Sequence, residues 1–510
     1  MNYRGLVRKI ESDEIVNNAG GAAFQLNKWQ QLERFIVIGS HRGTYYVTPR
    51  KLTMDNLGNI IDCIAEDADR VVSLVLDISD GGKAPSNDPA LLVLAACMTY
   101  ADLKIKNLAA SLLPKIARTA THLFHFLEYV EQLRGWGRLL RRAVANWYTD
   151  KPVESLGLQV VKYRSRDDWT HRDAIRLSHP KPTSEIQENL LKFAIGKYES
   201  GVLPDIVNTY LEASKITDSY SLVGFIHDKI KAGKYITWEL LPNHLIKDKY
   251  VWSELLPVLP YTAMLRNLRR MFGYGTFDIG NNFEYAKDFL TNERNIYTSR
   301  VHPMAILSAI SALNTDMLVS SDFMDCLELA FFTAFRNVEP TNKRMMLALD
   351  VSGSMAVHYS NGFSPIEAAV AMAKVTQRVE KNALVKMFDH RFSDVPFKQD
   401  DGLYKSVKSV IGLDFGATDC ALPMLEAAKH SWPVDAFVVY TDSETWYGDV
   451  TPREAIRRYR NTMGIPAKLI VVGMTATDVT IADPNDRGML DCAGFDTQTP
   501  SVISWFVNAS

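Results

Sequence analysis

The chain has 510 residues, 47% of them hydrophobic and 23% charged, with a formal net charge of −2. That length holds two or more domains with sizeable cores, and the composition is that of a soluble globular protein. No run of about 18 uncharged apolar residues occurs, which excludes a membrane-spanning helix. The opening MNYRGLVRKIESDE lacks the apolar core of a secretory signal, so a cytoplasmic protein is expected, with the nucleus as a second location in a eukaryote. Cys63, Cys97, Cys326, Cys420 and Cys492 are too scattered for a disulfide framework or a zinc site and read as buried thiols in a reducing compartment.

Up to residue 338 the apolar rhythm is helical. Leu57, Ile60, Ile61 and Ile64 form one stripe at i, i+3, i+4, i+7. Asp88-Pro89 supplies an N-cap and a first-turn proline ahead of LLVLAACM. Leu123, Phe126, Leu127 and Val130 repeat the stripe, and Ser184 with Gln187 forms a capping box ahead of a helix that Gly201 is expected to close. Helices of this length joined by short turns predict helical hairpins stacked as a solenoid, roughly seven or eight at about 40–47 residues each.

After Val338 short β-rich runs appear: Met345–Val351, Leu384–Phe388, Ala436–Thr441 and Lys468–Met474. Helical stretches at Pro365–Lys381 and Thr451–Met463 lie between them. Near-continuous apolar strands alternating with helices predict a parallel, doubly wound α/β sheet over 339–510, covered on both faces. This half carries 17 Lys and Arg against 21 Asp and Glu, a net of −4, whereas residues 100–181 alone carry 15 against 8, a net of +7. A local excess of that size suits a surface that meets polyphosphate, and equally a solvated basic face.

Asp350, Ser352 and Ser354 form D-x-S-x-S directly after the first of these strands. Thr418 sits in a glycine-bearing loop, and Asp442 follows a later strand. Ligands of open parallel sheets gather outside the strand carboxyl ends, so the three loops are expected to converge there. Five oxygens without sulfur or imidazole suit Mg²⁺, with Ca²⁺ or Mn²⁺ as alternatives, and leave one exchangeable position. The set resembles the metal-ion-dependent adhesion site of a von Willebrand A domain, in which that position takes a partner's carboxylate.

More of the chain carries a resemblance. The segments are GTYYV (Gly43–Val47), THLF (Thr121–Phe124), WGRLLRRAVANWY (Trp136–Tyr148), KYRSRDDWTHRDAIRLSHPKP (Lys162–Pro182), EPTNKR (Glu339–Arg344), DVSGSM, GATDCALPM (Gly416–Met424), TDSET and ADPNDRGMLD (Ala482–Asp491). In order and spacing they are similar to the Ro autoantigen family, the ring-shaped proteins that bind Y RNAs. Segments 274–283 and 355–363 depart from the vertebrate pattern, which leaves a bacterial member of the family open.

The resemblance implies an all-α, HEAT-like helical-repeat ring over 1–338, the TROVE module. It implies that the von Willebrand A domain of 339–510 joins the ring's ends. It also implies Y RNA stems on an outer basic face, single-stranded ends of misfolded noncoding RNAs in the hole, and a role in RNA quality control. Lys162, Arg166 and His179 match positions tied to Y RNA binding in that family. Read by spacing, Lys162 and Arg166 (i, i+4) share one helix face, and Arg172, Arg176 and His179 (i, i+4, i+7) share another. The competing reading pairs the arginines with Asp167, Asp168 or Asp173 and makes His179 a helix C-cap. Trp136, Trp147 and Trp169 are expected in the core.

The chain has no G-x-x-x-x-G-K-[ST] loop, and no base is evident near Ser352 or Ser354, so an enzyme is not expected. The expected protein is a monomer that binds small noncoding RNA. A protein such as an exoribonuclease is expected to offer an acidic side chain to the metal. The rival reading is a divalent-metal-dependent protein scaffold that binds no RNA.

Overall fold

The computed structural model describes residues 13–39, 49–313, 319–335, 339–356, 364–410 and 416–509. The GTYYV segment, residues 337–338 at the expected boundary and most of 355–363 lie outside the described residues.

The chain enters through β1 (Ile15–Val16) and β2 (Ala22–Gln25), an antiparallel pair. Among the described residues seventeen α-helices then run from Lys28 to Ala334, the second of them (Pro49–Gly81) broken by non-helical backbone at Asp67. That is somewhat more than seven or eight hairpins need, because several of the later helices are only 7–10 residues long. Helices pack chiefly on close neighbours in sequence, the pattern of a solenoid. The expected stripes lie inward: Ile60 and Ile64 are buried, as are Leu123, Phe126, Leu127 and Val130. Arg300, at the end of helix Glu293–Ser299, reaches Asp80 at 2.8 Å across 220 residues, so the late helices return to the end of the second one.

Two helix ends differ from expectation. Asn87, not Asp88, stands at the N-cap, and Asp88 instead binds His125 at 2.7 Å. Ser184 caps Gln187's N–H, but the Gln187 amide oxygen turns to Thr183, so only half of the capping box forms. That helix ends at Ala194 beside left-handed Gly196, well before Gly201.

Within the ring, β3 (Ser165–Arg166) and β4 (Trp169–Thr170) make a hairpin whose two-residue turn, Asp167-Asp168, has both φ angles positive. In the second domain β5 (Met345–Asp350), β6 (Ala383–Phe388), β7 (Phe392–Asp394), β8 (Ala436–Thr441), β9 (Lys468–Gly473) and β11 (Met489–Ala493) form one sheet in the order β11-β9-β8-β5-β6-β7. All pairings in it are parallel except that of the edge strand β7. β5, β6, β8 and β9 match the apolar runs to within one residue; β7 and β11, partly exposed edge strands, carry no such run. The remaining short strand, β10 (Val479–Thr480), leaves this sheet and pairs antiparallel with β2 of the N-terminal hairpin. All five cysteines are unbridged; Cys63, Cys97 and Cys420 are buried as expected, while Cys326 and Cys492 are half-exposed.

The A domain grips the ring from both sides. Arg34, on helix Lys28–Ile38, lies 1% exposed and places Nη2 at 2.6 Å from each oxygen of Asp491 on β11. Its Nη1 donates to the carbonyls of Thr477 and Val479. Gly473 makes the room, since a Cβ there would lie 2.4 Å from the guanidinium carbon. From the later part of the ring, His302 meets the carbonyl of Phe495 at 2.8 Å.

Removing one partner of a buried ion pair leaves an uncompensated charge. Arg34→Met should therefore lower stability to urea by roughly 3–5 kcal/mol, and Asp491→Leu added to it should restore much of the loss. Equal stability of Arg34→Met and native protein would show that the pair does not hold the seam.

Candidate metal centre and nucleic-acid interface

Strand β5 has β6 on one side and β8 on the other, so its carboxyl end is the topological switch point of the sheet. Asp350 ends β5 there, and Asp442 follows β8. Asp350 Oδ1 accepts the backbone N–H of Ser352 at 2.9 Å, and its Oδ2 accepts the hydroxyl of Thr441 at 2.5 Å. The hydroxyls of Ser352 and Ser354 are 3.1 Å apart, and Ser354 is hydrogen-bonded to Asp442. Asp442 Oδ1 accepts the N–H of Glu444. The Thr418 carbonyl takes the N–H groups of Trp446 and Tyr447, which fastens the third loop to the second. The structure thus brings all five residues of the sequence-derived set to one strand edge, each no more than 2% exposed.

The site is under-satisfied. Thr418 Oγ1, Asp442 Oδ2 and Ser443 Oγ are buried without a hydrogen-bond partner. Buried polar atoms seldom stay unpaired, and buried carboxylates need a counter-charge. Burial, and then the neighbouring Asp442, push the Asp350 carboxyl up to about 7; burial raises Asp442 as well. Among the described residues no three His, Cys, Asp or Glu side chains are grouped for a metal, so hydroxyls must complete any such site here. Two carboxylates plus three hydroxyls fit a hard divalent cation that keeps waters in its shell. Spacing in the sequence did not reveal Thr441, which orients Asp350, or Ser443, held in left-handed backbone at φ 64.

The basic set is arranged differently from its spacing. Lys162 ends helix Val153–Lys162 and Arg166 lies on β3, so the two share no helix face. Lys162 is ion-paired with Glu239 at 2.7 Å and is half-buried, and Arg166 donates to His125 at 3.3 Å. Arg172 and Arg176 do lie on one short helix, His171–Ser178, both exposed or nearly so. Neither pairs with Asp167, Asp168 or Asp173: Asp167 faces His125, and Asp173 closes a capping box with Thr170. His179 stands one residue past the helix as a left-handed C-cap, exposed, its N–H on the carbonyl of Ile175. Trp147 and Trp169 are core residues and Trp136 packs at the core's edge, 5.8 Å from Trp169.

A helical ring closed by an A domain, with a buried oxygen set at the sheet's switch point, defines the class of protein. Residues 15–208 and 220–320 match the family model of the TROVE domain, and residues 344–507 match that of the Ro60 vWA domain. The chain is 35% identical to the RNA-binding protein RO60 of Deinococcus radiodurans, over 99% of this chain and 97% of that protein. It is 31% identical to the RNA-binding protein RO60 of Caenorhabditis elegans, over 98% and 91%. It is similar in structure to the crystal structure of the Deinococcus radiodurans RO (RSR) protein, with a TM-score of 0.69 at 35% identity, covering 94% of this chain and 99% of that one. The chain belongs to the Ro60 family.

The raised carboxyl has a consequence for stability. A folded carboxyl that holds its proton up to about 7, against 3.8 ordinarily, is protonated where the unfolded chain has already ionised. Stability of the metal-free protein should therefore fall as pH rises from about 4 to about 7, since the unfolded state binds fewer protons. Asp350→Asn should flatten that fall in thermal unfolding with chelator and be the more stable form at about pH 8. Asp419 and Glu444, raised by burial to about 7, leave part of the slope in place. An identical slope in both proteins would remove Asp350 as its source.

Proposed function

We propose that the protein is the RNA-binding component of a small ribonucleoprotein. In this reading it is a cytoplasmic monomer that holds a structured small RNA of the Y RNA kind on an outer basic face. Single-stranded ends of misfolded noncoding RNAs enter the ring's hole. One observation carries the reading: Arg172 and Arg176 project from a single helix with no acid paired to them among the described residues, within the stretch of net charge +7. Exposed guanidinium groups at one helical turn's spacing suit successive backbone phosphates, which give affinity without reading sequence. Arg166, held out on its hairpin, and His179, at the helix end, extend the same segment. The relatives' shared designation as RNA-binding proteins supports the same conclusion.

The proposal also places one Mg²⁺, or in its stead Ca²⁺ or Mn²⁺, on Asp350, Ser352, Ser354, Thr418 and Asp442. Bound there, a cation would supply an open coordination position for a carboxylate of a partner protein, such as an exoribonuclease. The residues' own part is to hold two carboxylates together in a buried site, with Thr441 and the Ser352 N–H fixing the orientation of Asp350.

RNA recovered with the protein from its own cells should be small and structured. With that RNA, Arg172→Ala combined with Arg176→Ala should weaken binding and lower the slope of log K against log salt by roughly 1.8, about 0.9 per phosphate contact on duplex. Lys162→Ala should do less, because Glu239 already neutralises that ammonium. An unchanged affinity and slope in the folded double variant would place the RNA elsewhere.

Asp350→Ala should abolish calorimetric Mg²⁺ binding while changing RNA affinity by less than about tenfold, or 1.4 kcal/mol. The acidic A domain and the basic segment are separate surfaces. Loss of RNA binding both with chelator and in Asp350→Ala would put the cation in the RNA site.

A further inference from the structure

His125 lies on helix Ala120–Leu133, half-buried against the β3–β4 hairpin that packs on the same helix. Its ring meets two carboxylates and one guanidinium. Nδ1 is 2.7 Å from Asp88 Oδ1, at the start of helix Asp88–Tyr100. Nε2 is 3.3 Å from Arg166 Nε on β3 and 3.3 Å from Asp167 Oδ2 in the hairpin turn. The two Nε2 distances are equal, yet the two contacts need opposite protonation states. A carboxylate on Nδ1 keeps a proton there, so the neutral ring offers Nε2 as an acceptor, which suits the Arg166 N–H. The charged ring carries a proton on Nε2 as well, which suits Asp167 and leaves Arg166 without an acceptor.

The surroundings put this choice within reach of ordinary pH. The hydrogen bond to Asp88, opposed by partial burial, lifts the ring above the usual histidine range. Burial holds the neighbouring His122 down at about 4, hence neutral, and raises the Tyr129 phenol. Arg118, beside His122, donates to Ser79, and Glu128 takes the indole N–H of Trp169 on β4, which fastens the hairpin to the helix. Ser165, Arg166, Asp167 and Asp168 are all exposed, so the end of the hairpin can change partners without unpacking a core. Among the described residues no acid is paired with Arg166.

We propose that His125 is a positioning residue, which holds Arg166 back from RNA when its ring is neutral and releases it when the ring is protonated. On protonation the Arg166 N–H loses its acceptor and faces a like charge, while Asp167 is drawn onto Nε2. The guanidinium then turns to solvent, where a backbone phosphate takes it. The Asp167 carboxylate, which would repel that phosphate, is paired at the same moment. The inference rests on the reading of Arg166 as an RNA contact and adds its regulation: this face holds RNA more tightly as pH falls.

The test measures binding of a labelled hairpin RNA by the full chain at about pH 6 and about pH 8, on either side of a raised histidine, at several salt concentrations. Native protein should bind more tightly at the lower pH, with a slope of log K against log salt steeper by roughly 0.9, one added phosphate contact on duplex. His125→Gln, whose amide accepts from Arg166 at either pH, should lose that gain and match native affinity at the higher pH, which reports an intact hairpin. Arg166→Ala should lose the gain too. Any contribution of His179 stays in every variant, so the difference from native is the quantity read. Without RNA, the nitrogen resonance of Arg166 Nε in native protein should titrate together with the His125 ring. Arg166→Ala equal to native at both pH values would remove Arg166 from the RNA face, and the inference with it. A gain that persists in His125→Gln while Arg166→Ala still weakens binding, or an Arg166 resonance blind to the His125 titration, would overturn the inference alone.

Discussion

The first and last parts of the helical stack both meet the A domain, and the rest of this molecule follows from how that seam is held. The Arg34 guanidinium is the centre of that solution. It is almost wholly excluded from water, holds both oxygens of Asp491 and takes two carbonyls of the segment leading into β10. A charge so deeply buried is tolerable only when its partner is held in good geometry and further hydrogen bonds support it. It therefore forces β11, β10 and the first ring helix into one register. The β2–β10 pairing and the contact of Asn56 with the carbonyl of Ala476 extend the same seam.

The seam and the oxygen cluster share a loop. Immediately after Asp442, the carbonyls of Ser443 and Thr445 accept the side chain of Asn17, and the Glu444 carboxylate takes the side chain of Asn18 and the N–H of Ala19. Gly21 runs so close that a Cβ would lie 1.8 Å from the Thr445 carbonyl oxygen. The backbone that presents Asp442 to the site is thus also the backbone that clasps the N-terminal hairpin.

Charge is partitioned by solvation. In the A domain two carboxylates are buried side by side, which raises both and leaves oxygens without partners. In the ring the arginines of helix His171–Ser178 stand in water, with no acid paired to them among the described residues. Nearby basic and acidic groups that could have joined them are occupied, as Lys162 is by Glu239 and Asp173 by its capping box. Identical side-chain types thus serve as core, cap or open surface according to what packs beside them.

Much of this was legible in the order of residues. Apolar periodicity locates most of the ring helices and the interior strands because burial on one face, or on both, leaves a period in the sequence. D-x-S-x-S with Thr418 and Asp442 also reads correctly as a set that meets at one edge, since parallel strands deliver their carboxyl ends there whatever the loops do. The spacing of Lys162 and Arg166 misleads, because a two-residue Asp-Asp turn starts a hairpin where four-residue spacing suggests helix. Which cation is paired, where the ring closes and what lines the seam depended on contacts between segments 200 to more than 400 residues apart. Local pattern carries no information about such contacts, because a side chain's partner across space is set by the packing of whole elements, not by its neighbours along the chain.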